Sequence, residues 1–153
     1  MNKFTQPGKL KEVTGSITIP ELSSLRLIVV PCSLNDKFET DLQKVLVKRW
    51  AKVREEYKHW FSVRQNFKLG STNTLAVASD TWCVYLLCKN EDGTVDTKAL
   101  EDGFKKLAEM AKYEKASVHL SEFTLTELPQ LRKLAQELIV QEGLNVVIYT
   151  EAK

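Results

Sequence analysis

The run Leu27-Ile28-Val29-Val30 constrains this chain more than any other segment, because four branched apolar residues in succession need cover on both faces of a sheet. Bounded by Ser23-Ser24 and Pro31, it predicts a central strand over residues 25–30. A polar turn follows. Then Leu42, Val45, Leu46, Trp50, Val53, Tyr57 and Trp60 recur every three or four residues, which predicts one long amphipathic helix over 40–60. Thr40 suits its N-cap and Asp41 its first turn. A buried strand leading through a turn into a helix is the frame on which α/β folds bind phosphate, yet this turn contains no glycine. Glycine lets backbone N–H groups approach an anion without a Cβ clash, and Glu39 and Asp41 stand where such glycines are expected.

The flanking segments complete an α/β pattern. Residues 11–19 alternate polar and apolar and read as an edge strand interrupted at Gly15. Residues 72–78 and 81–88 form two β-like runs joined by Ser79-Asp80, a connection that fits a hairpin. Residues 96–112 carry Leu100, Phe104, Leu107 and Ala111 on one helical face, with Gly103 in the interior. A short strand at 116–120, a helix at 128–141 ended by Gly143, and a strand at 144–150 close the chain. The order β-β-α-β-β-α-β-α-β predicts an α/β fold in three layers, with a central mixed sheet of about six strands and helices on both faces. At 153 residues the chain can bury about two-thirds of its unfolded surface, so residues 11–153 read as one domain and 1–10 as a flexible tail.

Charge and cysteine usage exclude several classes. A net charge of +2, from 22 basic and 20 acidic residues, carries no global nucleic-acid footprint, so such binding needs a local patch. Cys83 and Cys88, five apart in one strand, point to opposite faces and cannot pair with each other. Cys32 has no histidine near it in sequence and reads as a small buried residue. His59 and His119 show no metal-ligand spacing, so no metal is assigned. The N-terminus lacks the apolar run of a signal peptide, and no segment approaches the roughly 20 apolar residues of a membrane span. A reducing, cytoplasmic location is expected.

This order of elements, with several local signals, resembles the macro domain, an α/β/α module whose members bind ADP-ribose and sometimes hydrolyse it from proteins. Val13-Thr14-Gly15-Ser16-Ile17 is similar to the family's opening strand end, and residues 27–50 to its second strand, first loop and first helix. Phe67-Lys68-Leu69-Gly70 resembles the turn entering the third strand, and residues 144–150 the closing strand. The likeness runs over about residues 11–150 and is greatest to terminal ADP-ribose glycohydrolase-like members.

That resemblance places the functional positions, and most of them depart from the family. The Asp that bonds adenine falls at Ser16, which is short and uncharged. The residue touching the distal ribose falls at Ser33, which fits that branch, and the Gly-x-Gly that holds the diphosphate falls at Glu39-Thr40-Asp41. Two carboxylates there repel a diphosphate. The second phosphate loop falls in residues 120–128, which hold no glycine; Glu122 and Glu127 are the acids near it, and neither a catalytic acid nor a Lys-Asp pair is evident. Lys37 is the sole cation of the first loop, while Asn35 and Asp36 read as turn residues.

The expectation is a fold kept without its ligand: no catalytic residue, no cofactor, a degenerate cleft at Ser16, Ser33, Asn35, Glu39 and Asp41, and work as a protein-interaction module. The alternative is nucleic-acid binding by the basic segment 44–68, through Lys44, Lys48, Arg49, Lys52, Arg64 and Lys68, with Arg54 and Lys58 beside them. Its aromatics Trp50, Tyr57, Trp60 and Phe67 fall on the apolar stripe and are expected in the core. A divergent ADP-ribose binder or hydrolase ranks third. Residues 72–78 read as an ordinary covered strand; at a sheet edge they would offer pairing to a partner strand or a second copy.

Overall fold

The computed structural model describes residues 8–19 and 24–151. Its centre is β2 (Arg26–Ser33), every residue of which is buried except Ser33 at its end. The sheet has six strands in the order β1-β6-β5-β2-β4-β3, with β1 (Leu10–Thr14), β3 (Thr72–Ala78), β4 (Thr81–Lys89), β5 (Ser117–Ser121) and β6 (Val146–Thr150) completing it. All neighbours are parallel except β3 and β4, which form the expected hairpin. Alternate residues of each strand face opposite layers, as the pleat requires. Leu27, Val29, Val84, Leu86 and Ile148 meet α3 (Thr97–Glu114) and α5 (Gln130–Leu138), while Ile28, Val30, Cys83, Tyr85 and Tyr149 meet α1 (Asp41–Arg49) and α2 (Lys52–Val63). The three-layer mixed sheet predicted from the pattern is therefore present. Cys83 and Cys88 lie in opposite layers.

Several elements differ from expectation. The helix read as continuous over 40–60 breaks at Trp50, whose extended backbone (φ −137°, ψ 93°) ends α1. The periodicity survives the break because both pieces apply their apolar stripes to the same sheet face, through Leu42 and Leu46, then Val53, Tyr57 and Trp60. The strand expected over 11–19 ends at Thr14; Gly15 N–H still bonds Thr150 O at 2.8 Å, and Ile19 N–H turns back to Ser16 O. The helix expected over 128–141 is α5 followed by a 3₁₀ turn at Val140–Glu142, and it is preceded by an unforeseen short helix, α4 (Glu122–Glu127). Residues 72–78 form an edge strand rather than a covered one. Within the segment read as a tail, Gly8 N–H donates to Val140 O at 2.7 Å and Leu10 begins β1, while residues 1–7 lie outside the described residues.

Gly103, the interior glycine of α3, has a packing reason. A Cβ there would stand 2.9 Å from Cγ of Leu86, so the missing side chain lets the helix lie directly on β4. No helix of the described residues is long and apolar enough to cross a membrane.

Candidate functional site

The five parallel strands end at one rim, the side of an open α/β sheet on which crevices form. Ser33 ends β2 and pairs, across a register shift after Cys32, with Lys89 at the end of β4. Ser121 ends β5 and at once caps α4, its hydroxyl accepting from Phe123 N–H at 3.1 Å. Two hollows meet between α1 and α4. One, of about 260 Å³, is lined by Pro31, Thr40, Leu42, Phe123 and Glu127; the other, of about 350 Å³, by Ser33, Asn35, Glu39, Lys89 and Glu91, with Thr40 and Glu127 shared.

The start of α1 is closed by its own side chains. Thr40 Oγ1 accepts from Gln43 N–H at 3.2 Å, and Gln43 Oε1 accepts from Thr40 N–H at 3.0 Å, a reciprocal capping box. The buried Gln43 also donates from Nε2 to Pro31 O at 3.1 Å, tying the helix start to β2. Glu39 and Asp41, the two acids foreseen at this turn, are exposed on either side of the cap. Tyr57, wholly buried, donates its hydroxyl to Ser33 O and to Asn35 O, which fixes the first loop from beneath. Asn35 is a turn residue, its Oδ1 accepting from Lys37 N–H at 2.9 Å and its Nδ2 reaching Glu91 O at 2.8 Å.

The corner at Ser16 is likewise satisfied from within. Its hydroxyl shares a 2.8 Å hydrogen bond with Thr18 Oγ1, and the adjacent Ile17 N–H donates to Glu151 Oε2 at 2.8 Å. No local spacing points to this carboxylate, which stands 134 residues further along the chain.

One ion pair in the cleft was not foreseen. The side chain of Lys89 is 4% exposed, and its Nζ lies 2.6 Å from Glu127 Oε1, so a lysine–carboxylate pair does stand in the cleft. The two residues are far apart in sequence and Lys89 ends a hydrophobic strand, so nothing in local spacing joins them. The thiols nearby are suppressed: burial pushes Cys88 up to about 12 and raises Cys32 further, with the Lys89 charge only partly opposing. Among the described residues, no group of three His, Cys, Asp or Glu side chains is placed to hold a metal ion.

Solved structures place this geometry. A macrodomain protein from Streptomyces coelicolor superposes with a TM-score of 0.84 at 21% identity, covering 92% of this chain and 97% of that one. The chain has the macrodomain fold. The DarG macrodomain of Thermus aquaticus gives 0.69 at 16% identity, covering 93% of this chain and 99% of that one. Thermosipho africanus DarTG in complex with ADP-ribose gives 0.67 at 14% identity, over 82% of this chain and 38% of that one. No family model and no curated protein matches the sequence. On this macrodomain frame the basic residues foreseen at 44–68 are all exposed on α1, α2 and the turn beyond; none lines the two hollows, but Arg54 and Lys58 line an adjoining one with Asp36, Lys37 and Glu39, while Tyr57 and Trp60 are core and Trp50 is half-buried.

Proposed function

We propose that this macrodomain-fold protein is non-catalytic and works by binding a protein partner. The observation that carries the reading is the capped start of α1. Two of the N–H groups that a helix N-terminus offers to an anion, those of Thr40 and Gln43, are engaged by the capping box, and Glu39 and Asp41 add negative charge beside them. The surface suited to a partner is β3, an edge strand whose residues Thr72-Asn73-Thr74-Leu75-Ala76-Val77-Ala78 include no charge and no proline. The opposite edge, β1, carries Lys11 and Glu12. Charged residues discourage strand addition, and an uncharged edge invites it.

Titration with ADP-ribose in a calorimeter is expected to give no heat of binding; micromolar affinity overturns the reading. Ala76 is exposed on β3, so the Ala76→Lys variant keeps the fold while charging the edge. A partner captured from native lysate by the wild type is expected to be lost by this variant. Equal capture would remove β3 as the docking edge.

A second reading rests on the Lys89–Glu127 pair beside Ser33. The Thermosipho africanus structure holds ADP-ribose, and the resemblance to hydrolytic members with a Lys-Asp pair extends that ligand class to this cleft. Turnover of an ADP-ribosylated protein by the wild type, abolished by Lys89→Ala, would establish this second reading over the first.

A further inference from the structure

The α1–α2 layer carries a charge the rest of the molecule does not share. Between residues 44 and 68 eight basic residues face two acidic ones, a local charge of +6 on a chain whose total is +2. All eight cations are exposed, and none forms an ion pair among the described residues. In the opposite layer several cations are paired, Lys98 with Asp102, Lys112 with Glu142 and Lys133 with Glu137. Unpaired cations gathered on one face leave repulsion that a polyanion relieves.

A second observation adds base chemistry. Half-buried aromatic rings surface among these cations, each covered by a guanidinium. Arg49 lies 5.2 Å over Trp50, and Arg64 lies 4.3 Å over Phe61 and 5.6 Å over Phe67. Phe61 and Phe67 meet edge to face at 5.4 Å, so the platform is fixed by packing. Arg64 is itself set in a left-handed conformation (φ 57°) at the end of α2, which turns it back over the two rings. Unpaired bases stack on aromatic rings and on arginine planes, whereas a duplex keeps its bases hidden.

We infer that the α1–α2 face binds single-stranded nucleic acid, its lysines taking the phosphates and the Trp50 and Phe61–Arg64–Phe67 platforms taking bases. Its aromatic platforms, Lys48 and Lys52 lie outside the two cleft hollows, so it stands whether or not the cleft binds a ligand.

Anisotropy of fluorescein-labelled 15-nucleotide single strands, dT and rU, is expected to report binding at 50 mM salt that weakens as salt rises, the logarithmic slope being about −0.7 per phosphate contact. Lys48→Glu with Lys52→Glu should weaken binding and flatten the slope by about 1.4. The control Lys98→Glu with Lys133→Glu, on exposed positions of the opposite layer, should leave both nearly unchanged. Oligonucleotide should quench tryptophan emission, and Trp50→Phe should remove the quenching. Absence of binding at 50 mM salt overturns the inference. So does equal weakening by the control pair, or duplex or heparin binding as tightly as the single strand.

Discussion

Lys89 Nζ and Glu127 Oε1 meet at 2.6 Å across the cleft, joining the end of β4 to the last residue of α4. The pair is asymmetric, for the Lys89 side chain is 4% exposed and that of Glu127 48%. Removing the carboxylate leaves an ammonium with little access to water, whereas removing the ammonium leaves a carboxylate that water can reach. Glu127→Ala should therefore destabilise by about 1–3 kcal/mol, and Lys89→Met by much less. Urea titrations of both variants check the order; equal losses would mean that Lys89 reaches solvent without its partner.

The capping box gives a second expectation. Thr40→Ala removes the hydroxyl that accepts Gln43 N–H and should cost about 1 kcal/mol. Gln43→Ala should cost more, because Gln43 also supplies the donor to the buried Pro31 carbonyl. If Gln43→Ala proves the milder change, the tie between α1 and β2 contributes little.

Much of the fold was legible because its signals are local. The buried run at 27–30 and the apolar run at 144–150 report directly on covered strands, and both strands stand there, the second beginning at Val146. The break at Trp50 was not legible, since a stripe spaced by three and four continues unchanged when two helices pack on the same face. Nor was α4, six residues long and too short to show a period. At the site, Glu39 and Asp41 were read from position alone. The Lys89–Glu127 and Ile17–Glu151 contacts were not, because tertiary folding alone joins residues so far apart.

Gly103 tests the seating of α3. Alanine gains about 1 kcal/mol over glycine in a helix, but its Cβ would press on the branched end of Leu86, at 2.9 Å from Cγ and 3.0 Å from Cδ2. Overpacking of this kind costs about 1–3 kcal/mol. Gly103→Ala should thus lower stability, and adding Leu86→Ala should cost less in that background than in the wild type. Additive losses in a double-mutant cycle would show that the two sites do not touch.

His119 is buried between Ser117 Oγ, 2.8 Å from Nε2, and Tyr149 Oη, 2.7 Å from Nδ1. Burial, aided by the Arg26 charge, lowers its pKa from 6.5 to about 3, so the imidazole is neutral in the folded protein. The unfolded chain takes up a proton below pH 6.5 that the folded chain refuses. Stability from this group is therefore complete above pH 6.5 and is lost as the pH falls from there towards 3. The slope approaches 1.4 kcal/mol per pH unit, or about 2 kcal/mol between pH 6.5 and 5. His119→Gln keeps a polar side chain without that proton, so its stability should fall less between pH 7 and 5 by about that amount. Urea unfolding at the two pH values measures the difference. If wild type and variant decline in parallel, His119 is protonated in the folded state and its hydrogen bonds to Ser117 and Tyr149 must be assigned differently.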